Sequence, residues 1–197
     1  MFSAIQKLIL IPALAFSVGY LFAQSEHQRA YNSDDYPEHL AGAFTGGFNE
    51  QTCQSCHFDY DLNKGEGRFS VSGIPNKIQP GKAYKFEIIV EREDLGKAGF
   101  QLSSRVRDGR QAGVFEISEN ERLMFTEQVP DSLQYVQHST SGTVPTETGK
   151  NRWVVKWHAP EFIEDSIYFN IAANAANGDQ SEFGDWIYAK EYVVPGE

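Results

Sequence analysis

From Arg68 onward the chain alternates apolar and polar positions with a period of two. Phe69, Val71 and Gly73 interleave with polar neighbours, and Tyr84, Phe86, Ile88 and Val90 repeat the pattern. That period places successive side chains on opposite faces of a strand, so one face is apolar and the other polar. Further strands are predicted at 99–106, 114–118, 123–126, 133–138, 152–158, 166–173 and 186–194. Turn-forming pairs separate them, including Pro80-Gly81, Asp108-Gly109, Pro130-Asp131, Gly149-Lys150 and Asn177-Gly178. No helical period survives three turns here. About nine short strands over some 130 residues predict an all-β fold, an antiparallel immunoglobulin-like β-sandwich over 68–197. Trp153, Val155 and Trp157 share one strand face and read as core.

The N-terminal part is patterned differently. Residues 1–23 hold a single charge, Lys7, and then an apolar run from Leu8 to Ala23 broken by Pro12. The run is short for a spanning helix and reads as a signal peptide cleaved after Ala23. An uncleaved N-terminal anchor is the alternative, because Leu21 is a less standard residue at the −3 position. Export to the periplasm or beyond the cell is expected, with membrane contact only through this segment if it stays uncleaved. Residues 24–45 are polar and read as an arm or linker. Residues 46–67 are glycine-rich and acidic and contain both cysteines of the chain, so they are expected to be loop-rich.

Those two cysteines carry the chemistry. Cys53-Gln54-Ser55-Cys56-His57 is C-x-x-C-H, the attachment pattern of covalent haem c, one per chain, in an exported protein. Two thiols three positions apart can add to the two vinyl groups on one porphyrin edge, and His57 is then placed as the proximal iron ligand. A zinc site would need further ligand pairs, a thioredoxin-like pair belongs in a βαβ unit, and a disulfide across two residues is strained. Candidates for the sixth iron position are His138 at a strand end, His39 in the arm and Met124 on a short strand; an open position is the further alternative. His158 shares a face with Lys156 and reads as solvent-exposed.

Asp59, Asp61 and Asn63 space oxygens at alternate positions, a weak calcium candidate. The glycine falls one place late for an EF-hand and position twelve is Ser70, so capping of turn amides competes with it. Asp179 and Asp185 near the C-terminus are read the same way, as turn residues before cation ligands.

Charge narrows the partners. Seventeen basic residues against twenty-seven acidic ones give a net charge of −10, which disfavours nucleic acid. Over 31–67 seven acids, Asp34, Asp35, Glu38, Glu50, Asp59, Asp61 and Glu66, face only Lys64, and acids beside a haem edge would steer a basic redox protein. A solvated surface is the competing reading. Oligomeric state leaves no trace in the pattern.

Three stretches together carry a resemblance: Lys97-Ala98-Gly99-Phe100-Gln101-Leu102, Trp153-x-x-x-Trp157-x-Ala159-Pro160, and Ala173-Asn174-Ala175-Ala176-Asn177-Gly178-Asp179 with Gly184-Asp185. They resemble bacterial exported proteins with a reelin-type (reeler-like, choice-of-anchor V) domain. The resemblance covers about residues 46–190 and implies an immunoglobulin-like sandwich. It also implies a C-x-x-C-H just ahead of that sandwich, followed by an Asp-x-Asp-Leu-Asn run, matched here from Cys53 to Asn63. Related domains without the haem motif also have a histidine before the strand with two tryptophans, which implies a structural role for His138.

The leading expectation is an exported monohaem c-type cytochrome-like protein that transfers electrons. The alternative is a periplasmic or cell-surface recognition module in which haem is structural, sensory or absent. A haem enzyme with an open sixth site ranks last, since no distal acid–base pair, Ser-His-Asp set, phosphate loop or H-E-x-x-H is found.

Overall fold

A computed structural model describes residues 42–117, 121–127, 129 and 132–197. The targeting segment 1–23, most of the arm and His39 lie outside the described residues. Nine strands follow one another: β1 (Arg68–Ser72), β2 (Ala83–Glu91), β3 (Lys97–Val106), β4 (Val114–Glu116), β5 (Leu123–Phe125), β6 (Tyr135–His138), β7 (Lys150–His158), β8 (Ile167–Ala176) and β9 (Trp186–Val194). They form two antiparallel sheets, β1-β2-β7-β4 and β5-β6-β3-β8-β9, packed as the expected β-sandwich.

The inner faces are the apolar positions of the period-two pattern. Phe86, Ile88 and Val90 of β2 and Trp153, Val155 and Trp157 of β7 are buried against Phe100 and Leu102 of β3 and Phe169 and Ile171 of β8. Rings cross the gap edge to face, with centroids 5.0 Å apart for Phe86–Phe169 and 4.9 Å for Trp157–Phe169. Burying each such phenylalanine contributes about 1.5–3 kcal/mol. The buried indole donors are satisfied: Trp153 Nε1 donates to Gly142 O at 3.0 Å, and Trp157 Nε1 to Ser104 Oγ and Ala112 O, both at 3.0 Å.

The strands β3 and β8 are buried on both faces. Their second face lies under residues 42–67, which pack on the outside of the five-stranded sheet. Gln101, Ser103, Arg105, Gln137 and Asn170 are therefore polar and buried, against the solvent exposure that alternation implies. The packed segment also starts within the expected arm. The Phe44 amide donates to Gln101 Oε1 at 2.6 Å, and Thr45 is buried in a bridge to Thr52.

Candidate haem site

The cysteine motif lies on one irregular turn. Thr52 Oγ1 accepts the Gln54 amide at 3.2 Å and caps a 3-10 turn over Cys53–Ser55. The Cys56 and His57 amides both donate to Cys53 O, at 3.2 and 3.0 Å, so a single helical turn gathers the three side chains. No longer helix is needed, because two thiols and one imidazole span only five residues.

Three latches hold this turn to the sheet. Asn63 donates its amide to Ile187 O and accepts the Ala189 amide at Oδ1, both at 2.9 Å. It does so at φ 62, a left-handed conformation that asparagine tolerates. Asp59 Oδ2 accepts the Gly184 amide at 3.0 Å. The third latch is ionic. Glu50 meets Arg105 Nη2, Tyr135 donates its hydroxyl to Glu50 Oε1 at 2.5 Å, and Thr45 Oγ1 donates to Glu50 Oε2 at 2.6 Å. The Arg105 guanidinium lies over the Phe48 ring, 4.8 Å from its centroid. Burial is the main influence on both ions, pushing the Glu50 carboxyl up and the Arg105 guanidinium down from their ordinary values. Glu50 is thus a structural ion and not one of the acids that could steer a partner.

The turn closes one side of a cavity of about 290 Å³, open to solvent and mostly apolar in lining. Cys53, Cys56 and His57 line it from the segment, Phe44, Ala98, Gly99 and Phe100 from the edge and sheet, and Gly178, Gln180 and Ser181 from the loop before β9. His138 lines it too. Its Nδ1 sits 3.0 Å from Phe100 N and 3.1 Å from Phe100 O, where the imidazole stands in for a backbone partner as β6 leaves β3. Residue 99 must be glycine for this: a Cβ there would lie 2.6 Å from His138 Cε1.

His57 Nδ1 is 2.8 Å from Asp185 Oδ2, and Asp185 is 1% exposed. The contact has ion-pair distance without hydrogen-bond alignment, since His57 Nδ1 is buried with no aligned acceptor among the described residues. Asp185 also accepts the Asn177 amide at 3.2 Å and Asn174 Nδ2 at 3.2 Å. Asp179 is a turn residue, with its carboxyl held below the ordinary value first by the Ser181 amide.

Of the sixth-ligand candidates among the described residues, only His138 lines the cavity, and His39 lies outside those residues. Met124 sits on the short strand β5, opposite Gln137, and does not line it. His158 pairs with Glu116 at 2.7 Å on the other sheet. Of the calcium candidates, Asp59 Oδ2 accepts the Gly184 amide, Asn63 Oδ1 accepts the Ala189 amide, and Asp61 is exposed. Among the described residues no three His, Cys, Asp or Glu side chains are grouped to hold a metal ion. The sequence reading missed the Asp185–His57 contact and the Glu50–Arg105 pair, and no local spacing signals either.

Both cysteines are free thiols. Burial pushes the Cys53 thiol up to about 12, the reverse of the lowered value that a redox nucleophile needs. Two thiols and an imidazole on one turn, beside a mostly apolar wall with an open side, are the donor set and surroundings that a covalent haem would require.

No family model matches the chain, and no curated protein matches it. Among solved structures it is similar to the human F-spondin reeler domain, at 21% identity and TM-score 0.47 over 69% of this chain and 94% of that one. A second structure, the Reelin-N domain of F-spondin, is 20% identical with TM-score 0.45, covering 72% and 96% of the two chains. A cohesin module from a Clostridium perfringens glycoside hydrolase is 14% identical with TM-score 0.40, covering 66% and 98%.

Burial of His138 has a pH consequence. Desolvation lowers its pKa below 6.5, only partly offset by the Phe100 backbone. The unfolded chain therefore takes up a proton that the folded chain resists. His138 contributes stability that is full above about pH 6.5 and is lost as the pH falls through the folded-state pKa. Haem-free protein should show a urea midpoint that declines across this acid range, with a shallower decline in His138→Gln. Parallel profiles would disprove it.

Proposed function

We propose that the chain is an exported monohaem c-type cytochrome-like protein that carries single electrons exchanged with a redox protein. The observation that supports this reading is one cavity lined jointly by Cys53, Cys56, His57 and His138. Cys53 and Cys56 would hold the haem by thioethers and His57 would bind its iron. When bound, the haem supplies a reversible one-electron couple. The chain's own residues seat it, turn away water with Phe44, Ala98 and Phe100, and leave one side open for electron exchange. His138 is the proposed occupant of the sixth position. Its Nδ1 lies within reach of both the Phe100 amide and Phe100 O, and binding iron at Nε2 would require the tautomer in which Nδ1–H donates to Phe100 O in place of accepting the amide. The proposed partner is a basic protein. Asp61 and Glu66 remain exposed for steering, whereas Asp59 is committed to Gly184.

The test is production of the full chain with a c-type maturation system in the periplasm. The protein should gain the mass of one haem and keep it through denaturation in SDS. Deleting residues 2–23 should leave a haem-free product in the cytoplasm, because attachment takes place after export. An unmodified mass in the exported wild type would overturn the haem reading and favour the recognition module.

A further inference from the structure

We infer that Asp185 is a positioning residue for His57 that lowers the reduction potential of the bound haem, an inference that rests on the haem reading above. Asp185 comes from the far end of the chain, at the entry to β9, and points a buried carboxylate oxygen at His57 Nδ1 from 2.8 Å. Its two hydrogen-bond donors, the Asn177 amide and Asn174 Nδ2, are neutral. His57 Nδ1 is the titratable group at ion-pair distance from this carboxylate among the described residues.

The placement is clamped. The preceding residue, Gly184, gives its amide to Asp59 Oδ2 at 3.0 Å and its carbonyl to Arg92 Nη1 at 2.6 Å. Arg92 is itself held by Asp94 at 2.5 Å and lies over the Trp186 ring, 4.1 Å from its centroid. Asp59 therefore serves the haem turn twice, tying the segment to the sheet and fixing the strand entry that presents Asp185. His57 Nδ1 has no aligned hydrogen-bond acceptor among the described residues, Asp185 included, so the 2.8 Å approach is the contact that the ligated imidazole would turn into a hydrogen bond.

A carboxylate on the outer nitrogen of a ligating imidazole does two things. It holds the proton on Nδ1, which leaves the Nε2 lone pair for iron, and it makes the imidazole a stronger donor. A stronger donor and a nearby negative charge both stabilise the ferric over the ferrous state, so the potential falls. Asp185 is thus a determinant of potential contributed by the sandwich and not by the haem segment.

Asp185→Asn keeps the size and removes the charge, and its single carbonyl oxygen keeps one of the two neutral contacts, to the Asn177 amide or to Asn174 Nδ2. In haem-loaded protein it should shift the ferric–ferrous equilibrium about tenfold toward ferrous, which is about 59 mV upward for a one-electron couple. Asp185→Glu, which keeps the carboxylate, should return part of that shift. Equal potentials in haem-loaded wild type and Asp185→Asn would overturn the inference while leaving covalent haem untouched; wild type without a haem adduct overturns the haem reading first. A second measurement needs no variant. In reduced wild type a proton on His57 Nδ1 should show a nuclear Overhauser contact to the Asp185 β protons, and its absence would also overturn the inference.

Discussion

A Cys53→Ala, Cys56→Ala double variant should emerge from the periplasm with its β-sandwich intact and no covalent haem. The two sulfurs are the attachment points, so the loss is complete and not graded. The fold should survive because neither cysteine belongs to the core, which is built from β2, β3, β7 and β8. The turn should survive as well: its bonds run through backbone groups and Thr52, not through sulfur. Cys56 is exposed and Cys53 is half-buried in the cavity wall, so truncation costs about 1 kcal/mol, the common size of a single-residue change. Each single variant keeps one thioether and should retain haem in reduced amount. Mass spectrometry of denatured protein reads the adduct, and circular dichroism reads the fold. An adduct persisting in the double variant would place the attachment elsewhere.

Removing the Arg105 side chain should cost about 3–5 kcal/mol and release the cysteine segment from the sheet. Arg105 and Glu50 have side-chain exposures of 6% and 11%, so neither ion can turn to water when its partner is gone. Arg105→Ala strands Glu50 beside apolar rings and also strips Phe48 and Tyr135 of the guanidinium stacked between them. Glu50→Ala leaves the Arg105 charge without its counter-ion and the Tyr135 hydroxyl without its acceptor, although that hydroxyl still accepts from Arg105. Replacing both ions by apolar residues of similar volume, Glu50→Leu with Arg105→Met, should recover most of the loss, because the penalty lies in the unpaired charge. Urea unfolding gives the magnitude. Limited proteolysis gives the location: cleavage within 42–67 should rise strongly in either single variant. A proteolysis pattern identical to wild type would show that the asparagine and aspartate latches hold the segment unaided.

The sandwich was legible in the sequence because each strand writes its own inner face. Phe86, Ile88 and Val90, and Trp153, Val155 and Trp157, meet their environment through local alternation, and the turn residues between strands mark the breaks. C-x-x-C-H was legible for the same reason, since its three groups meet within one turn. What alternation could not express is a second burial. Gln101, Ser103, Arg105 and Asn170 read as a polar outer face, and they became buried only because 42–67 folds back over β3 and β8 and supplies their partners. The two described sixth-ligand candidates separated only by strand pairing: β6 carries His138 to the cavity at Phe100 and Gly99, while β5 holds Met124 at the sheet edge. The Asp185–His57 contact joins the last strand to the first turn, a pairing that no spacing encodes and that exists only once β9 is seated beside β8. Local periodicity therefore determined which residues form strands and which turn bears the thiols. Tertiary packing decided which polar side chains face that turn, because contacts between distant segments depend on sheet order and not on residue type.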